Sequence, residues 1–399
     1  MRTIWPEVRS KFLFQQVRRP CKDTDGTVTA FRDGQVVLRS ERREDGFTEA
    51  VQFIGYQGVI VGDLVIHSMD GFAGAIGISE SNGKMSPVAH IYAPKRDLDL
   101  RFYAYYLRHL ANAGYIQSLA KGIRERSTSF DPAIFSEISL PVPPIEEQRR
   151  IADYLDAQIE RIDSIVHQRK NQMELNKSLI TSRLAELVSP EFGLTPLKRL
   201  AHVSVSNVDK HSIEEDLPVS LCNYVDVYKN RVISDEIDFM RSTASREQVK
   251  RFSLQAGDVL FTKDSETADD IAQCALVTQT IPDLVLGYHC GLLRSFAVSS
   301  EYLYWAMQSP YVANQFTLSA TGVTRVGLKL ADIGIVLIPT PTQKMQEKVV
   351  STLKEFVIGT EKLNQLAQAQ VDSLIRMKSS LISSAVTGEF DVFTGRSVA

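Results

Sequence analysis

The sequence predicts an α+β chain with a pseudo-two-fold internal repeat: two mixed α/β globular domains separated by two long helices packed as an antiparallel coiled coil. Three observations predict this. The chain matches itself at one fixed offset, each copy of the match opens a long heptad-like pattern, and each half carries the same strand, Gly-Asp turn and strand order.

The self-match lies at an offset of 198 residues. SLPVPPIEEQRRIADYLDAQ, beginning at Ser139, falls on LIPTPTQKMQEKVVSTLKEF, beginning at Leu337. Pro141 meets Pro339, Pro143 meets Pro341, Gln148 meets Gln346 and Leu155 meets Leu353. Farther on, Gln172 meets Gln370, Ser182 meets Ser380 and Val188 meets Val386, still without a gap. Solenoid units repeat every 20 to 50 residues or so, which makes this a duplicated domain pair and not a repeat array.

Each proline pair leads into a helix. Proline is tolerated at the first helical turn, and the residue before it is pushed toward extended geometry. Glu146 and Glu147 then place negative charge at the positive end of the helix dipole. Ile151, Leu155, Ile159, Ile162, Val166, Met173, Ile180, Leu184 and Leu187 recur mostly at steps of three and four, with Arg169 and Asn176 in the gaps. That is a coiled-coil seam with polar breaks. In the second copy the apolar positions are Val349, Leu353, Val357, Leu363, Val371, Leu374, Met377 and Leu381, before a stop at Thr387-Gly388. About 43 residues at 1.5 Å each give a helix on the order of 65 Å long. Two such helices, each closing one half of the chain, are expected to pack against each other as a spacer.

In the globular halves, residues 51–66 and 252–261 carry apolar alternation into Gly62-Asp63 and Gly257-Asp258 turns. Polar loops follow, HSMDGFAG in the first half and TKDSETADD in the second. Helical segments are expected near 98–120 and 299–316, with Tyr103, Tyr106, Leu107 and Leu110, and Tyr302, Tyr304, Trp305 and Met307, as core faces. The predicted division is residues 1–143 and 190–341 for the globular domains, 144–189 and 342–390 for the spacer helices, and 391–399 for a tail.

Composition bounds the function. The 399 residues are 44% hydrophobic and 23% charged, within the range of soluble globular proteins. MRTIWPEVRSKF lacks an apolar run, and no stretch approaches the roughly 18 apolar residues of a membrane span, so a cytoplasmic protein without membrane contact is expected. Cys21, Cys222, Cys274 and Cys290 are far apart, which argues against zinc or dithiol chemistry. The formal net charge is -3. Residues 1–140 hold 18 basic and 16 acidic side chains, and residues 196–335 hold 13 and 17. Neither half is strongly basic, so DNA contact requires local clusters or a basic partner.

Catalytic patterns are missing. GISESNGKM at 77–85 has one residue too many for a phosphate loop, and Met85 replaces the magnesium-binding hydroxyl. No G-x-G-x-x-G follows a strand, and neither H-E-x-x-H nor G-x-S-x-G occurs. The seven histidines are scattered without metal-ligand spacing. The balance favours a binding protein with no catalytic, cofactor or metal site of its own.

LPVPPIEEQ at 140–148 and LISSAVTG at 381–388 resemble segments of type I restriction-modification specificity subunits. So, more loosely, do GDVLFTKD at 257–264 and KMSPVAHI at 84–91. The resemblance extends to chain length and the two-fold layout. It implies a non-catalytic subunit whose two target-recognition domains each read one half of a bipartite site in double-stranded DNA. The helix pair would set the gap and dock two methyltransferase subunits. Those partners would use S-adenosylmethionine on adenine N6, and motor-nuclease subunits would use ATP with magnesium. Two departures stand out: the second proline element lacks the paired glutamates, and HSMDGFAG has Met69 where the family has lysine.

Base and phosphate contacts are expected from polar loops after the strands. In the first half these are Arg42, Arg43, His67, Ser68, Lys84, Arg124 and Arg126. In the second they are Lys263, Asp264, Ser265, Thr324, Arg325 and Lys329. The competing expectation is a structural adaptor that bridges two protein partners through its helix pair.

Overall fold

The computed structural model describes residues 4–42, 54–119 and 129–397. The chain forms two compact units, Met1–Arg169 with Ala369–Ala399, and Lys170–Gln368.

In the first unit a four-stranded sheet runs in the order Phe14–Val17, Ala89–Pro94, Leu64–His67, Ile76–Ile78, antiparallel throughout. Alternate residues on a strand point to opposite faces, and both faces here are covered. Leu64 and Ile66 pack with Phe102, Tyr103, Tyr106 and Leu107 of the helix Leu100–Asn112. Val65 and Ile91 pack on the other side with Val28, Val36, Val59 and Met85.

The second unit repeats the order with Ala201–Val205, Cys290–Ser295, Val259–Thr262 and Cys274–Val277, and adds Val232–Ile233 in parallel at the edge. Val259 and Phe261 pack with Tyr302, Leu303 and Trp305, while Leu260 faces a second core with Leu221, Phe252 and Val285. The aromatic helix faces read from sequence are therefore core in both units.

The Gly-Asp turns are scaffold of one design. Gly62 and Gly257 hold φ of +93° and +91°, where a side chain is strained. The Asp63 carboxylate accepts the Ile60 N–H at 2.9 Å and pairs with Arg19 through two bonds of 2.6 and 3.0 Å. Asp258 accepts the Gln255 N–H at 2.8 Å and pairs with Arg294 through two bonds of 2.8 Å.

The long helices run Ile145–Leu187 and Gln343–Thr387, and the glutamine of each proline element explains how they begin. Gln148 is buried; its Nε2 donates to the Pro143 carbonyl at 2.8 Å and its Oε1 accepts the Asp99 N–H at 3.0 Å. Asp99 caps Leu100–Asn112, its side chain accepting the Arg101 N–H. Gln346, also buried, donates to the Pro341 carbonyl at 3.0 Å and accepts the Ser299 N–H at 2.9 Å. Ser299 caps Ser300–Met307 in turn. Each domain is also closed by a short antiparallel ladder that ends on the first proline of its pair, Glu7–Arg9 with Ser139–Pro141 and Leu194–Pro196 with Leu337–Pro339.

Within each unit, segments of the two long helices run antiparallel. In the first, Ile151 and Leu155 share a core with Ile382, Ala385 and Val386, and Lys378 reaches Asp163 at 2.7 Å. In the second, Ile180 and Leu184 share a core with Val349, Leu353 and Val357, and Asn176 donates to Asn364 at 2.7 Å. The first-helix seam follows its apolar and polar pattern. The second does not: Leu363 and Met377, expected in the seam, are 55% and 56% exposed, and Asn364 and Lys378 take the inward positions beside them. Polar residues are tolerated there because each finds a partner across the pair, a choice that also fixes register.

Gln148→Ala leaves the Asp99 N–H and the Pro143 carbonyl unpaired in the interior. At about 1–3 kcal/mol for each orphaned group, the first unit is expected to lose about 2–6 kcal/mol, read by denaturant unfolding, with faster hydrogen exchange at the Asp99 amide. A loss below about 0.5 kcal/mol, the level of an ordinary surface change, contradicts the role assigned to this side chain.

Candidate functional site

In the second unit the loop residues picked from sequence come together. The bridge Asp264–Ser265 pairs antiparallel with Val326–Gly327, which brings the segment carrying Thr324 and Arg325 beside the loop after Val259–Thr262. The Leu328 N–H donates to the Lys263 carbonyl at 3.0 Å, and the Lys263 N–H to the His289 carbonyl at 2.8 Å, tying three segments together. A Cβ at Gly327 would sit 2.5 Å from Asp264 Oδ1 and would displace that carboxylate.

Asp264 is the hub. Lys263 Nζ donates to its Oδ1 at 2.7 Å, and His289 Nδ1 bonds its Oδ2. Lys263 is therefore neutralised and largely covered at its head, not the free cation its place in the sequence suggested. Ser265 is buried, whereas Thr324, Arg325 and Lys329 are exposed, Lys329 in the N-cap position of Leu330–Ile335.

Asp264, Ser265, His289 and Arg325 border a cavity of about 370 Å³ whose walls also include Tyr224, Tyr228, Glu266 and Asp270. Tyr224 and Tyr228 stack at 5.6 Å on the helix Tyr224–Lys229, and the Tyr228 hydroxyl donates to Asp270 at 2.9 Å. Burial, with the nearby Asp270 charge, raises the Tyr224 phenol above its ordinary range and keeps it protonated. Sequence reasoning missed these four and His289. The Tyr-x-x-x-Tyr spacing, which puts two rings on one helix face, was an available signal. His289 had none, since it reaches Asp264 only through strand pairing.

The first unit places its candidates differently. His67 is half-buried and its Nδ1 accepts the Asp70 N–H at 3.1 Å. Burial, partly opposed by Asp70, lowers its pKa and favours the neutral ring. Asp70 also pairs with Arg32 at 2.7 Å. Ser68 is buried and shares a hydrogen bond of 2.9 Å with Ser129. Arg42 pairs with Asp33 and lies over the Phe31 ring at 4.2 Å. Burial opposes ionisation of Asp33, but the bonds from Arg42 and the Gln35 N–H prevail and hold its pKa below the usual value. Lys84 requires a correction: it is 3% exposed on Gly83–Met85 and its ammonium donates to the Asp23 carbonyl, so its charge serves the fold and is not presented to a ligand. A buried ammonium must be hydrogen-bonded in this way to be tolerated. Arg43, Arg124 and Arg126 lie outside the described residues.

No group of three or more His, Cys, Asp or Glu side chains among the described residues could hold a metal ion. The four thiols are unbridged, and burial pushes that of Cys274 up to about 12. No helix among the described residues is long and apolar enough to cross a membrane.

Removal of the Lys84 ammonium is expected to cost the first unit about 1.5–3 kcal/mol, the range for a hydrogen bond to a charged group. Lys329→Ala should stay within about 0.5 kcal/mol, as for an exposed side chain. Urea unfolding of Lys84→Ala and Lys329→Ala compares them directly, and equal stabilities contradict the placement of Lys84.

Residues 52–175 match the family model of the type I restriction modification DNA specificity domain. The specificity subunit of the type I restriction enzyme EcoKI from Escherichia coli is 21% identical over 319 residues, 75% of this chain and 67% of that one. The MjaVIII specificity subunit from Methanocaldococcus jannaschii is 19% identical over 373 residues, 89% of this chain and 86% of that one. Among solved structures, a chain from work on complex assembly and conformational transition of the type I R-M system superposes with a TM-score of 0.71 at 14% identity, covering 96% of this chain and 97% of that one. The chain is thus similar in sequence to the specificity subunits of type I restriction enzymes, its residues 52–175 match the model of their DNA specificity domain, and its fold is similar to that of the solved type I R-M chain.

Proposed function

We propose that the chain is the non-catalytic DNA-recognition subunit of a type I restriction-modification complex, each globular domain reading one half of a bipartite site in double-stranded DNA. The observation that carries this reading is duplication of the scaffold with divergence at the loops. Both domains share the sheet order, the Gly-Asp turn with its arginine and the glutamine link to a long helix. The side chains after the turn differ: His67 and Asp70 in one, Lys263 and Asp264, the latter bonded to His289, in the other. Two readers of different words need this combination.

The two long helices form an antiparallel coiled coil that fixes the gap between the half-sites and docks two methyltransferase subunits. Antiparallel packing inside each unit supports this, as do apolar side chains turned away from the seam. Ile165, Ile375 and Met377 are exposed in the first unit, and Leu175, Leu179, Ile358 and Leu366 in the second. S-adenosylmethionine is then bound by the methyltransferase partners, and ATP with magnesium by motor-nuclease subunits where these join. The near-neutral charge of both domains fits an arrangement in which basic partners supply phosphate contacts and the polar side chains here address base edges. At about 1–3 kcal/mol per mismatched pair, two short words suffice for strong discrimination.

Exchange of residues 1–139 for those of a relative with another specificity is expected to change one half of the methylated motif and leave the other half and the gap intact. Methylated-adenine sequencing of host DNA reads the outcome. A change in both halves contradicts independent readers, and loss of all dependence on this chain favours an adaptor role.

A further inference from the structure

The cavity of the second unit holds two charged side chains that the fold leaves unused. Asp264 is engaged at both oxygens by Lys263 and His289, and Asp270 accepts from Tyr228 and from Gln273 at 3.3 Å. Glu266 and Arg325 line the same space, are exposed, and their side chains form no ion pair or hydrogen bond among the described residues. His289, which locks the Asp264 hub, holds a φ of +69°, uncommon for a residue with a side chain, and its ring lies 4.0 Å from that of Tyr288. Strain of this kind persists where the surrounding structure fixes a residue for use.

The charges select the ligand. A phosphate brought to Arg325 would meet Glu266 and Asp270 in the same cavity, and a carboxylate repels it. A base edge meets no such penalty. An ionised carboxylate only accepts hydrogen bonds, so Glu266 calls for an amino group, while Arg325 offers a fork of donors and calls for paired acceptors. In the major groove one base pair presents both: guanine O6 and N7 as acceptors, and cytosine N4 as donor. The Tyr224 and Tyr228 rings supply a flat apolar wall beside them.

We propose that this cavity reads a G·C pair in the half-site of the second domain, Arg325 donating to guanine O6 and N7 and Glu266 accepting from the cytosine amino group. This rests on the DNA-reading function proposed above. Each contact acts on one base pair only, so its loss relaxes one position and leaves the rest of the motif in place.

The test uses the complete complex with its methyltransferase subunits, on DNA libraries in which every position of the wild-type motif is varied. Arg325→Ala and Glu266→Gln are each expected to lower preference at the same G·C position of the second word by about tenfold, with the first word unchanged. The slope of binding against salt should stay near the wild-type value for Arg325→Ala, whereas loss of a phosphate contact would lower it by about one. Uniform weakening without relaxation, relaxation at an A·T pair, or relaxation in the first word each overturns the assignment. A wild-type complex that shows no sequence preference removes the underlying reading as well, which separates the two failures.

Discussion

Gln148 and Gln346 hold together the parts on which everything else in this chain depends. A primary amide is one of the few side chains that can donate and accept at once, and each glutamine uses both ends inside the protein. One end holds the carbonyl of a proline at the strand exit; the other holds the N–H of the residue that caps the domain helix. The long helix therefore starts in a geometry fixed by the core of the domain behind it. Hydrophobic packing alone would permit some sliding, because apolar contacts are not directional. Two buried hydrogen bonds to main-chain groups do not.

The same division of labour appears at the sheet. Asp63 with Arg19 and Asp258 with Arg294 close equivalent turns with nearly identical distances, and both carboxylates are almost fully buried. Breaking such a pair strands a charge in the interior, which preserves the turn through divergence of the loops around it. The next few residues carry no such constraint. They form a small His67, Asp70 and Arg32 cluster in one unit and the Asp264 hub in the other. Function can diverge where the scaffold has left side chains unspent, and Glu266 and Arg325 on the cavity of the second unit are two of these.

Much of the fold was legible because periodicity and duplication reinforce each other. The prolines, the helix starts, the Gly-Asp turns and the aromatic core faces all follow from local pattern. The second helix seam departs from its apolar pattern at Leu363 and Met377, because Asn364 and Lys378 face inward by pairing with Asn176 and Asp163. Lys84 departs likewise: a charge in a loop-like stretch is a strand residue whose stem is buried and whose head finds a carbonyl. At the candidate site, Asp264, Ser265 and Arg325 were accessible from loop composition. His289 was not, because its neighbour Asp264 is 25 residues away and meets it only after the sheet has formed.

In the proposed function the helix pair sets the gap between two half-sites, so the helices can be lengthened without touching either globular domain. Insertion of seven residues after Arg169 and seven more after Gln368 keeps the heptad phase of both helices and lengthens each by about 10 Å, or roughly three base pairs of DNA. Methylated-adenine sequencing of a host carrying this variant with its methyltransferase partner is predicted to return the same two half-sites with a gap longer by about three base pairs. An unchanged gap, or altered half-sites at the original gap, would contradict the account.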